Sequence, residues 1–337
     1  GPDTVLALAG PKRRGRAAAA TVHVLWPRRI AVKRILLLGA VCALVAAPVT
    51  AHVPDGVINT AFQWPAGVTP TLDGDLSEWD LVPEDYHLGM APHLDQEGNA
   101  DYDFADLNMK IIVGYSADTD LLYFMMERFD DHYDRDGQGG GAGGDDSWEI
   151  HVDADHTGDL MRVSADVIED EDERALAQGR GAQAYHTRFP PLGDTGGDSW
   201  TWFWMSQATW HTDPQFGDFG FQLDGSLNSG EATAYIEFSK AAWDDFIFTG
   251  AAASTLHDFV PEEIIGLGWQ VVDHDGNGPD ATVDKNWYFS GATDAWRTAA
   301  SASDFLLAPV DPRVDFTAIP TAVESQTWGR IKAGFVQ

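Results

Sequence analysis

Residues 145–159, DDSWEIHVDADHTGD, place an acidic loop, an alternating run and a second acidic loop in direct succession. Successive side chains of a strand point to opposite faces, so Trp148, Ile150 and Val152 share one side and Glu149, His151 and Asp153 the other. A strand of this kind must lay its apolar side against a second layer. Beyond it, Asp153, Asp155 and Asp159 follow one another around Gly158, and several carboxylates at a turn are the hard oxygen donors that calcium takes. The stretch is expected to be a half-buried strand running into a calcium loop.

The same period of two recurs along the chain. Residues 107–115 and 121–129 read as strands joined by five residues, a length that suits a hairpin. Residues 161–167, 200–210, 266–272, 287–290 and 305–308 read as further strands, and 219–223 with 232–238 as another hairpin. Ser239 is expected to cap a short helix, and residues 169–183 to form a helix or an exposed insertion. Asp73-Gly74 marks a turn, and residues 190–199 are a second insertion rich in Gly, Pro and Asp. Many short strands with turn signals between them predict an all-β fold, an antiparallel β-sandwich of jelly-roll or immunoglobulin-like type with short helices and loop insertions.

Domain limits follow from the ends. Val32, Lys33 and Arg34, the apolar run 35–47 and the small residues up to Ala51 have the three regions of a secretory signal, with cleavage expected after Ala51. Residues 1–51 are therefore set aside as upstream segment and signal, 52–309 are expected to form one sandwich, and 310–337 a C-terminal tail. The only cysteine, Cys42, lies within the signal, so the exported chain has no disulfide to lean on. No later segment has the roughly 20 apolar residues of a membrane-spanning helix. The formal charge of −32 becomes −39 once the 8 basic residues and 1 acidic residue of the first 51 are removed. Such a chain is repelled by nucleic acid and by anionic membrane surfaces.

The segments TLDGDLSEW (71–79), LLYFMMERFDD (121–131), DDSWEIHVDAD (145–155), AYIEFSKAAW (234–243), GLGWQVVDHDG (266–276) and DFLLA (304–308) occur in this order over nearly the whole of the expected domain. In order and spacing they resemble the family 9 carbohydrate-binding modules and their DOMON-like relatives. The resemblance implies a β-sandwich with bound calcium and, in sugar-binding members, a cleft where tryptophans grip a sugar. The long insertions between residues 169 and 199 depart from that pattern, and they bear on the cleft.

A sugar ring offers apolar CH faces and a rim of hydroxyls, so its site needs flat aromatic groups flanked by hydrogen-bonding side chains. Trp200, Trp202, Trp204 and Trp210 are the ligand-binding candidates, although a tryptophan on a strand more often fills a core. For metal, Asp153, Asp155 and Asp159 form one acidic group and Asp273, Asp275, Asn277 and Asp280 a second; both suit calcium better than zinc or copper. Asp130 and Asp131 lie on a loop that the fold could bring near the first group. Asp145 and Asp146 are a carboxylate pair of the type that hydrolyses glycosides, but no nucleophile elbow, zinc-protease helix or phosphate loop accompanies them, and a non-enzyme is expected. A haem b site built from Met125 or Met126 with His151 or Lys240 is the electron-transfer alternative; a surface structural or adhesion protein without a sugar ligand is another. The expectation is a secreted, calcium-stabilised protein that binds carbohydrate without cleaving it.

Overall fold

The computed structural model describes residues 52–137, 145–194, 198–203, 208–276 and 284–319. Fourteen strands are found among them: β1 (Ile58–Gln63), β2 (His93–Leu94), β3 (Leu107–Ser116), β4 (Leu121–Asp130), β5 (Ser147–Asp153), β6 (Gln183–Thr187), β7 (Thr201–Phe203), β8 (Phe219–Gly225), β9 (Ala232–Ala241), β10 (Trp243–Asp245), β11 (Thr255–Leu256), β12 (Ile264–Asp273), β13 (Lys285–Phe289) and β14 (Ser303–Leu307). The α-helix Glu171–Ala177 is about two turns of chain, started by Asp170, whose side chain accepts from the Glu173 N–H.

Two layers share the strand β1. The order β7-β6-β5-β12-β14-β1 forms the first and β1-β3-β4-β9-β8 the second. Residues 58–61 of β1 pair with β14, and Phe62 and Gln63 then pair with β3. The expected all-β, sandwich-like fold is present as one large, curled sheet, which is mixed because both of these pairings are parallel. All other pairings described are antiparallel.

The core lies where the layers face each other. Trp148, Ile150 and Val152 of β5, with Leu267, Trp269 and Val271 of β12, meet Ile111 and Val113 of β3, Phe124 and Met126 of β4, and Ile236 and Phe238 of β9. Trp148 packs edge-on against Phe124 at 5.8 Å and Phe238 at 5.2 Å between ring centres. The alternation in β5 thus does what its pattern implies, but its polar face is not solvated: Glu149, His151 and Asp153 are buried as well. Ala295 and Ala302 lie over β12 at Gly268, next to the His151 ring, and cover that face.

The outer face of the second layer carries its own apolar cluster, in which Phe62, Trp64, Trp79, Ile112 and Met125 are buried and Phe316 and Ile319 pack. The packed body therefore runs past residue 309. The 3₁₀ turn Leu76–Leu81 lies on this face, and the chain leading into it comes so near β8 that a Cβ at Gly220 would stand 2.3 Å from the Asp73 nitrogen. Gly220→Ala is expected to lower stability by about 1–3 kcal/mol through this clash with main chain, which a thermal melt of the variant measures.

Several expected elements differ. Residues 161–167 form turns, because Met161 and Arg162 bond to the Arg297 carbonyl and not to a neighbouring strand. Ser239 caps no helix; it continues β9, paired with Tyr123. In the segment 200–210 the described strand is Thr201–Phe203, and Trp210 starts a 3₁₀ turn.

Candidate functional site

Glu237 of β9 is the buried acid around which the outer face of the second layer is arranged. Its Oε1 accepts the N–H groups of Asp73 and Gly74 at 2.7 and 2.8 Å, and its Oε2 accepts Nε1 of Trp79 at 3.0 Å. Burial pushes this carboxyl up to about 7, against the pull of those three donors. The segment DGDLSEW of residues 73–79 is thereby fixed to the sheet as a ridge across half of the face, and Gly74, with φ +82° and no room for a Cβ against Phe221 and Gln222, permits the turn.

The other half of the face is open. Lys110, Glu127, Tyr235 and Gln222 stand in one register row across β3, β4, β9 and β8. Together with Gly74, Asp75, Leu76, Ser77 and Asp80 of the ridge they line an open groove of about 290 Å³. Lys110 and Glu127 pair at 3.3 Å while both stay in contact with solvent. One row further along, Asn108, Phe129, Thr233 and Asp224 continue the same face. The result is two half-exposed rings, Phe129 and Tyr235, set among amide, carboxylate, ammonium and hydroxyl groups. None of these groups was singled out by sequence; the signal was present as a local alternation in which Asn108 and Lys110, Glu127 and Phe129, Gln222 and Asp224, and Thr233 and Tyr235 alternate with core residues along β3, β4, β8 and β9.

The four tryptophans do not make one face. Trp200 is buried against Phe219 and Phe238 with the Lys240 ammonium 5.0 Å from its ring centre. Trp210 stacks on Phe246 at 4.7 Å, meets Trp243 edge-on and donates Nε1 to the Phe248 carbonyl. Both serve packing. Of the three that are described, Trp202 reaches the outer side of the first layer, lying parallel to His186 at 4.3 Å with the Arg188 guanidinium 4.8 Å from its ring centre. Below it, burial would raise the Glu149 carboxyl, but His186 and His151 hold it down to about 2. Trp204 lies outside the described residues.

The acidic residues sort in a way that spacing did not foretell. Asp153, Asp155 and Asp159 are found together in no set of three ligand atoms lying within 4.8 Å of one another among the described residues. Asp153 instead accepts from Gly158 and Thr157 N–H groups and from His52, and Asp155 accepts from the Thr157 hydroxyl. At the other end of β5, Asp273 gathers with Asp106 and Asp284, and Asp275 with Asp106 and Asp131. Asn277 and Asp280 lie outside the described residues. Asp131 thus joins the second acidic group, and Asp106 and Asp284, placed by the starts of β3 and β13, complete it.

Charge at this corner is poorly balanced. Arg128 is buried among Asp130, Asp146 and Asp273, at 2.6 Å from Asp146 and 3.4 Å from Asp273. One guanidinium cannot neutralise three buried carboxylates. Burial, then the neighbouring acids acting against Arg128, push Asp273 up to about 8, and burial with Asp275 and Asp284 takes Asp106 to about 6. Oδ2 of Asp273 is buried with no hydrogen-bond partner. An all-oxygen donor set around an orphaned buried carboxylate oxygen fits calcium.

Asp145 and Asp146 are tied into separate networks: Asp145 is held by Arg135 and Arg188, Asp146 by Arg128 and the N–H groups of Asp134 and His274. The haem candidates are likewise apart. Met125 faces the outer cluster and Met126 the core, His151 stands on the far side of the first layer, and Lys240 pairs with Leu122, four residues along β9 from the partner of Met126. That offset is about 13 Å. Lys240 instead donates to the His211 carbonyl at 2.9 Å. No helix among the described residues is long and apolar enough to cross a membrane.

No family model and no curated protein matches the chain. Among solved structures it is similar to a family 9 carbohydrate-binding module from Caldicellulosiruptor kristjanssonii in complex with cellotriose, at 12% identity over 77% of this chain and 100% of that one, with a TM-score of 0.44. It is also similar to a family 9 module from the same organism in complex with glucose, at 12% identity over 75% of this chain and 99% of that one, with a TM-score of 0.42.

Proposed function

We propose that this protein is an exported, calcium-stabilised β-sandwich that binds carbohydrate without cleaving it, and that its sugar platform is the groove beside the DGDLSEW ridge. The observation that carries this is the register row Lys110, Glu127, Tyr235 and Gln222: an aromatic ring in an open groove, flanked by donors and acceptors, is what the CH faces and hydroxyl rim of a sugar require. Its volume of about 290 Å³ lies at the small end of ordinary small-molecule sites, enough for a sugar ring or two. Calcium is assigned to the corner of Asp106, Asp131, Asp273, Asp275 and Asp284, beyond the row of Asn108 and Phe129, where it would neutralise charge and hold four strand ends together. Export follows from the signal ending near Ala51.

Retention on insoluble polysaccharides and on a glycan array, starting with β-glucans such as cellotriose, tests the proposal. Glu127→Ala and Gln222→Ala are each expected to weaken retention about fivefold to tenfold, the effect of one lost hydrogen bond to a ligand, while Trp202→Ala leaves it unchanged. Loss of retention in Trp202→Ala with intact groove variants would move the site to the first layer. A parent protein retained by no glycan would remove carbohydrate binding altogether.

A further inference from the structure

Away from both the groove and the acidic corner, three distant segments bring two imidazoles to one carboxylate. Nδ1 of His52 lies 2.6 Å and Nε2 of His156 2.9 Å from the same oxygen, Oδ1 of Asp304. The rings meet edge to face with centres 4.0 Å apart, and the three ligand atoms lie within 4.8 Å of one another. His52 precedes β1, His156 sits in the turn after β5, and Asp304 is on β14. The second nitrogen of His52 faces Oδ2 of Asp153 at 3.2 Å.

A neutral imidazole has one N–H, so it can satisfy only one of the two carboxylates that flank His52. With the proton on Nε2, bonded to Asp153, the Nδ1 lone pair is directed at Asp304, and the contact becomes favourable either through a second ring proton or through a cation held between the two groups. A metal-ligating histidine commonly donates its other nitrogen to a carboxylate in this way, which fixes the ring and raises its basicity.

We propose that His52, His156 and Asp304 form a binding site for a divalent transition-metal ion of the zinc or copper class, with Asp153 orienting His52. Two imidazole nitrogens and one carboxylate oxygen are the donor set these ions prefer over calcium. Ligand atoms about 3.3 Å apart span the edge of a tetrahedron around such an ion, so the observed separations need only a small expansion. The His52 side chain is 1% exposed, whereas His156 and Asp304 are 34% and 25% exposed, so the ion has a path from solvent to a seat that is fixed on its inner side. Gly266 makes that seat possible, since a Cβ there would come within 2.5 Å of the His52 ring. Three protein ligands leave a further position for water or an exogenous group.

The test uses the full chain without a histidine tag, saturated with calcium throughout. Titration with zinc is expected to show one tight site, and one equivalent of copper(II) an electron paramagnetic resonance spectrum split by two imidazole nitrogens. His156→Ala and the near-isosteric Asp304→Asn should each weaken binding about tenfold or more, with His156→Ala losing one nitrogen from the spectrum. His257→Ala, a histidine held between Asp244 and Glu263, should change neither. Absence of zinc and copper binding overturns the proposal, as does binding that survives both His156→Ala and Asp304→Asn unchanged; a melt of each variant confirms that it is folded.

Discussion

Chelation at pH 8 is expected to lower the melting temperature of the purified protein by about 10 °C, and millimolar calcium to restore it. An ion bound to the folded state at roughly a thousand times its dissociation constant stabilises by about 4 kcal/mol, and each kcal/mol moves a domain of this size by about 2–4 °C. The pH dependence makes the expectation specific. Without an ion Asp273 keeps its proton up to about pH 8, and Asp106 up to about 6. In the unfolded chain both lose it near 4. Between those limits the folded state holds more protons than the unfolded state, so metal-free stability falls as pH rises from about 4 to about 8. Calcium replaces the protons and should abolish that slope. Melts in chelator that keep this slope but are indifferent to calcium would leave the corner as a protonated carboxyl cluster, and melts flat with pH would contradict the raised carboxyls themselves.

Glu237→Ala is expected to cost about 3–5 kcal/mol and to abolish carbohydrate retention together with that stability. The substitution leaves Nε1 of Trp79 and the N–H groups of Asp73 and Gly74 without their acceptor beneath the ridge. Each buried donor so orphaned costs about 1–3 kcal/mol, less whatever water recovers. Glu237→Gln keeps an oxygen for the two backbone donors but turns an amide N–H toward Trp79, so it should recover about half of the loss. Chemical denaturation of the three proteins gives the comparison; a Glu237→Ala midpoint within error of the parent would mean that the ridge is held by packing alone.

The sequence disclosed the fold wherever a strand buries one face. The alternation in residues 147–153 sets Trp148, Ile150 and Val152 in the core, and the two hairpins, β3 with β4 and β8 with β9, follow from short connectors. It did not disclose β6, whose five residues are all buried and carry no alternation. Nor did it disclose the path of β1, whose partners lie some fifty residues ahead in β3 and far along the chain in β14; parallel pairing has no local turn to announce it. In the tryptophan-rich segment Trp200 precedes β7 and turns inward while Trp202 faces out, so period two does not hold across them. Asp273 and Asp275 were legible as metal candidates from their glycine-punctuated loop. Asp106 and Asp284 were not, because strand ends assemble them across the fold.

The groove is the centre of the functional proposal, and Tyr235 is its aromatic floor. Calorimetric titration of the best glycan found for the parent into Tyr235→Ala tests it most directly. The expected result is an affinity at least about tenfold weaker, the loss of one stacking ring, with the melting temperature within a few degrees of the parent. Unchanged affinity in a folded Tyr235→Ala protein would contradict it.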